Sequence, residues 1–167
     1  VDTTAPVLTV PANTAIECTA DSSPAGTGQA SVSDNCDDSV ASARVWVNEF
    51  HYDNVGADVG EAIEIAGTAG INLNGYSLYL YNGISSSRRV YATNHLSGII
   101  DDEGCGFGAL SFATPSLMNG NPDGFALVGP GGVIQFLSYG GTFIAADGPA
   151  AGMTSIDVGA AESTSTP

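Results

Sequence analysis

Four oxygen-bearing side chains stand close together in the sequence: Asp53, Asn54, Asp58 and Glu61. Hard carboxylate and amide oxygens are what Ca²⁺ takes, which makes Asp53, Asp58 and Glu61 candidate ligands, with Asn54 or a backbone carbonyl completing the set. Their order is not that of an EF-hand, because the glycines and acids fall at the wrong positions. The competing reading is a solvated turn whose Asp and Asn side chains cap their own backbone. Asp101-Asp102-Glu103 and the group Asp34, Asp37 and Asp38 are further acidic runs, and a run of charge reads first as an exposed face.

Other reactive groups are sparse. His51 and His95 are the only histidines, and neither stands in a GxSxG or HExxH arrangement. Glu49 and Glu64 lie in stretches of alternating apolar residues, where an ionised carboxylate is costly unless paired. Pairing with Arg44, Arg88 or Arg89 is therefore expected in preference to an acid–base dyad. The cysteines are Cys18, Cys36 and Cys105, an odd number without a CxxC or His/Cys cluster for zinc. A disulfide is the better use for two of them, and a Cys18–Cys36 bridge would close a loop of about 19 residues, worth ~3 kcal/mol on the chain-entropy model. Cys105 lies in Gly104-Cys105-Gly106-Phe107-Gly108, which is not a phosphate loop because no lysine exists and no helix follows. It reads as a free thiol or as one half of an intermolecular disulfide. No catalytic residue is expected, and Ca²⁺ is the only candidate ion.

Charge narrows the partners. The chain carries 18 acidic side chains against 3 basic ones, a formal net charge of −15. Such a surface repels phosphate backbones and anionic lipid, so neither nucleic-acid binding nor membrane association is expected. No apolar run approaches the ~20 residues needed to cross a bilayer, and a signal peptide, if the chain is secreted, is expected to have been removed.

The elements that must hold these groups are strands. With 22 glycines and 43% hydrophobic residues in 167, the chain has a core but turns often. In Val45–Phe50, Val45 and Val47 alternate with Trp46 and Asn48, which sends aliphatics to one face and the indole to the other. Ile63 and Ile65 alternate with Ala62 and Glu64 in the same way. Tyr76–Tyr81 is bounded by Asn74-Gly75 and Asn82-Gly83, and Phe125–Val128 with Val133–Tyr139 around Gly129-Pro-Gly-Gly132 is the clearest hairpin. Arg88–Thr93 and Leu96–Ile100 are weaker strand candidates. Upstream, Val7–Val10 between Pro6 and Pro11 is a short strand suited to an edge or a connection, and Thr14–Cys18 and Gln29–Ser33 give a second and a third short strand. The expected organisation is an N-terminal strand segment, residues 1–43, followed by an antiparallel β-sandwich, residues 44–167.

Two resemblances attach to these residues. Asp2-Thr-Thr-Ala-Pro-Val-Leu-Thr-Val-Pro-Ala-Asn, with Ile16-Glu17-Cys18 and Asp34-Asn35-Cys36, resembles the opening of the hyalin repeat (HYR) family of extracellular immunoglobulin-like modules. The pattern stops near Val40. Val47-Asn-Glu-Phe-His-Tyr-Asp-Asn54, Glu61-Ala-Ile-Glu-Ile-Ala-Gly67, Leu73-Asn-Gly-Tyr-Ser-Leu78, Leu80-Tyr-Asn-Gly83, Asn119-Gly-Asn-Pro-Asp-Gly-Phe-Ala-Leu-Val128 and Gln135-Phe-Leu-Ser-Tyr139 resemble, in order, the lamin tail domain family in its bacterial secreted form. This likeness implies an all-β, immunoglobulin-like antiparallel sandwich with no catalytic role, extracellular or on a bacterial cell surface. That family usually continues into one more strand beyond a segment such as Glu162–Pro167.

Both ends are thus expected to be incomplete as sandwiches. The expected function is that of a non-enzymatic structural or assembly protein, a self-associating homopolymer in which the N-terminal strand segment of one subunit complements the open sheet edge of the next and builds a surface filament. The alternative is a binding or targeting accessory module of a larger secreted nuclease or surface protein.

Overall fold

The structure, a computed structural model, describes residues 7–9, 11, 31–33, 44–54, 57–104, 106–115 and 117–159. The chain divides into two compact units, Val1–Ser42 and Ala43–Pro167. In the first, β1 (Val7–Thr9) pairs antiparallel with β2 (Ser31–Ser33), with Leu8 opposite Val32. The anticipated Thr14–Cys18 strand, Cys18, Cys36 and Cys105 lie outside the described residues, as do Asp34, Asp37 and Asp38.

The second unit is all-β and β-sandwich-like. Its strands are β3 (Val45–His51), β4 (Ala62–Thr68), β5 (Ser77–Asn82), β6 (Arg89–His95), β7 (Phe107–Ala113), β8 (Asp123–Gly129), β9 (Gly132–Tyr139) and β10 (Ile156–Asp157). They form a five-stranded sheet in the order β10-β9-β8-β5-β6 and a three-stranded sheet in the order β3-β4-β7. All pairings are antiparallel except β10 on β9, which is parallel and spans only Leu137 and Ser138.

The alternation in β3 holds: Val45 and Val47 are buried while Trp46 is half-exposed. With Ile63 and Ile65 of β4 they meet Leu78, Leu80, Phe125, Leu127 and Tyr139 from the larger sheet, forming the main core. A second cluster, Tyr81, Ala126, Phe136, Phe143, Ala145 and Ala150, lies on the other face of that sheet, where residues 143–150 cover it. Because β5 and β8 are buried on both faces, their burial is nearly continuous instead of alternating.

Leu96–Ile100 is not a strand. Leu96 and Ile100 are buried as core plugs, Ile99 is 56% exposed and bridges only Asn72, and Gly98 adopts φ +112°. In contrast, β7 grows out of a glycine-rich run that carries little strand signal in its sequence. The run is glycine-rich for a steric reason, since a Cβ on Gly108 would collide with the Asp101 carbonyl oxygen.

Candidate functional site

The loop between β3 and β4 forms the acidic corner. Tyr52 anchors its start, stacked on Tyr139 with ring centroids 4.1 Å apart. Asp53 and Glu61 are both buried, whereas Asp58 is exposed. The Asn119 side-chain amide, brought in by the segment after β7, donates to Asp53 Oδ1 (3.3 Å) and Asp58 Oδ2 (3.0 Å). Asn54 N–H donates to Asp58 Oδ1 (3.4 Å), and Val59 N–H donates to Asn54 Oδ1 (2.8 Å). Glu61 sits at the far end of the loop, where its backbone carbonyl accepts Thr114 N–H (2.9 Å). Asp53 and Asp58 therefore converge on one neutral amide. Among the described residues no three His, Cys, Asp or Glu side chains form a group that could hold a metal ion.

Some of the other acidic and basic groups have local partners. Asp102 Oδ1 accepts Gly104 N–H and Gly106 N–H (2.9 and 3.1 Å), closing the turn before β7. Glu64 does not meet an arginine as expected. Its Oε1 accepts the amide of Asn48, the bulged residue of β3 (2.7 Å), and the strand sets Glu49 directly across from Glu64. Arg89 pairs instead with Asp147 (3.2 Å), whose other oxygen accepts Val90 N–H (2.9 Å). His95 Nδ1 lies 3.0 Å from Ser77 Oγ, and His51 is half-buried at the end of β3.

Two polar groups that sequence reasoning passes over are built more tightly than any of these. Asp123 is 1% exposed, and its two oxygens accept Gly83 N–H and Gly120 N–H, each at 2.8 Å. Burial raises its carboxyl above the usual carboxylate range, and the two backbone bonds counter that only in part. Tyr139 donates to the Met118 carbonyl (2.6 Å), and Met118 N–H donates to Tyr91 Oη (3.1 Å), clipping residues 117–119 against the core. Burial pushes the Tyr91 phenol up to about 12 and that of Tyr139 higher still. The only signals for this cluster in the sequence are Asn119, Asn121 and Asp123 in one turn-rich stretch.

Strand edges are the remaining chemistry. Val158 N–H donates to Ser138 O (2.9 Å), so the backbone of Ser138 faces β10, and period-two alternation turns that of Phe136 the same way, up to the bulge at Ile134. Among the described residues no strand lies beside Gly132–Phe136 on that side. The nearest edge is β3, where Val47 N–H is taken by the side-chain oxygen of Gln135 (2.6 Å). An apolar groove of about 400 Å³, lined by Val45, Trp46, Tyr76 and Ile134, opens on one side of this link. A second, of about 260 Å³, opens on the other against Phe50, Tyr52 and Leu137. No protein-family model, curated protein or solved structure matches this chain.

Proposed function

We propose that the chain is a non-enzymatic extracellular structural protein that self-associates into a surface filament, the N-terminal strand segment of one subunit pairing with an uncovered sheet edge of the next. The lamin-tail and hyalin-repeat motifs supply the extracellular, bacterial-surface context of this reading. One observation carries the assembly step: the backbone of β9 from Gly132 to Phe136 lacks a described neighbour and borders an apolar groove. Unpaired N–H and C=O groups at such an edge are a template for another strand. The donor segment matches it in chemistry. Val7-Leu8-Thr9-Val10 is uncharged and bracketed by Pro6 and Pro11, and β1 has a described partner, β2, on one edge only. A two-stranded ladder is marginal by itself, so a second partner for β1 adds to the stability of both units.

The test is negative-stain microscopy and size exclusion of the full chain beside a Leu8→Asp variant. Fibres from the parent chain that vanish in the variant support the reading. A compact, stable monomer at every concentration refutes it.

One feature favours the accessory-module reading. Trp46, the single tryptophan, meets Phe107 edge to face at 5.9 Å on the outer surface of the three-stranded sheet, and Phe107 is 43% exposed. A monomer that binds an insoluble neutral polymer, with binding lost in Trp46→Ala, would select it.

A further inference from the structure

The three-stranded sheet has its own open edge, and that edge is self-complementary. Ala69 N–H donates to Gly106 O (2.8 Å) and Thr114 N–H donates to Glu61 O (2.9 Å). The β4–β7 register between these points runs without a bulge, so Gly108, Leu110 and Phe112 turn their backbone groups to β4. Phe107, Ala109, Ser111 and Ala113 turn theirs outward. Those of Phe107 are bonded to Glu103 N–H (2.9 Å) and Gly104 O (3.2 Å). Ala109, Ser111 and Ala113 have no described strand beside them, and Pro115 closes the edge beyond.

Apart from the stretch of β9 assigned above to the N-terminal segment, the other edges carry the usual protection against strand pairing, and β7 does not. β3 and the β5–β6 ladder each contain a bulge, β6 begins at the Arg89–Asp147 ion pair, and β9 is partly covered by β10. Between Phe107 and Ala113 there is no charge, no proline and no register shift.

We infer that two copies of the chain pair antiparallel through β7 about a two-fold axis at Ser111. Ala109 then lies opposite Ala113 of the second copy and Ser111 opposite Ser111. These are the outward-facing positions, so each of the three pairs exchanges both N–H···O bonds. Their small side chains share the outer face and do not clash. On the inner face Leu110 meets Phe112 of the second copy, and the reverse, in the closer non-hydrogen-bonded pairs. Both are half-buried and already packed on the core, and aliphatic–aromatic cross-strand pairs are favourable. The contact is isologous, so it closes on itself. β7 itself brings no charge to the seam, since residues 104–122 contain no charged side chain, and the carboxylate one strand away from Ser111, Glu64 of β4, accepts the Asn48 amide.

Sedimentation velocity of the full chain at about 0.5 M NaCl, where charge is screened to a few ångström, tests this. With the proposed filament contact removed by Leu8→Asp, the chain is expected to show a monomer–dimer equilibrium, and the Ser111 variants are compared in that background. Ser111→Pro removes an outward N–H that makes no bond to β4, and the association constant should fall by about tenfold or more with near-ultraviolet dichroism unchanged. Ser111→Lys sets like charges across the axis and decides the matter if the proline variant does not fold. A Leu8→Asp chain that stays monomeric, or a dimer that survives both Ser111 variants, would overturn the inference.

Discussion

Asp123 offers the sharpest test of how this sandwich is held together. It is buried, and its carboxylate is the acceptor for two backbone N–H groups, Gly83 and Gly120, each at 2.8 Å. Asp123→Ala strands both donors. A buried, unsatisfied N–H costs about 1–3 kcal/mol, and removing a desolvated carboxylate returns part of that. The net loss should be about 3 kcal/mol, or roughly 10 °C in Tm for a unit of this size. Asp123→Asn should cost less, about 1–2 kcal/mol, because the amide oxygen serves one N–H while its NH₂ faces the other. The pH dependence has a definite sign. Burial raises the folded pKa above the reference 3.8, so the folded state holds the proton more tightly than the unfolded state in the window above that value. Stability from this group is therefore greatest below the unfolded pKa and is lost as pH rises through the folded one. Relative to Asp123→Asn, the parent chain should gain stability as pH falls from neutrality through that window. Urea melts at a series of pH values measure both quantities. A loss under about 1 kcal/mol in Asp123→Ala, or a gap between parent and Asp123→Asn that narrows on acidification, would refute the reasoning.

Other outcomes follow from the same contacts. Tyr91 and Tyr139 should resist ionisation in a spectrophotometric titration, with Tyr91 near 12, and stability should fall as pH rises from the ordinary phenol value of 10.0 toward it. Asn119→Ala removes the amide shared by Asp53 and Asp58 and should lower stability by roughly 1 kcal/mol, while chelator should leave the Tm of the parent chain unchanged. A Tm that drops with chelator would favour Ca²⁺ at Asp53, Asp58 and Glu61. Gln135→Ala should cost about 1 kcal/mol by freeing Val47 N–H, and Gln135→Glu, which keeps an acceptor, should cost less. Self-association should strengthen as NaCl rises from about 0.05 to 0.5 M, since −15 on each copy repels at long range; light scattering that falls with salt would contradict this.

What could be read in the sequence divides by range. The alternation of Val45, Trp46 and Val47, the Ile63/Ile65 pair and the Gly129–Gly132 turn are local signals, and β3, β4 and the β8–β9 hairpin follow them. Tyr81 and Ala126 look outward-facing in an alternating strand yet are fully buried, because residues 143–150 fold back over them. That cover is not encoded near either residue. β7 was invisible for the opposite reason: Gly, Ala and Ser have little strand preference, and the strand exists because Ile63, Ile65 and Gly67 of β4 supply a ladder and a core. Leu96–Ile100 shows the converse error, in which apolar residues spaced for a strand plug the core from a loop instead. At the acidic corner the acids were legible but their keeper was not, since Asn119 lies 61 residues from Asp58.

The two edges differ in symmetry, and this limits what they can build together. Pairing of an N-terminal segment with β9 joins unlike surfaces, so it repeats without closing and has a direction. Pairing of β7 with β7 joins like surfaces and stops at two. If both contacts form, the two-fold axis at Ser111 cross-links one filament to another. Each contact also compensates for a weakness of the other. A one-stranded polymer held by a short strand breaks at any single joint, whereas cross-linked partners hold the ends of a broken joint near each other and raise the effective concentration for rejoining. Charge favours the same arrangement. Neither the Val7–Val10 segment nor β7 carries a charged side chain, so copies can meet at both places while their acidic surfaces stay in solvent.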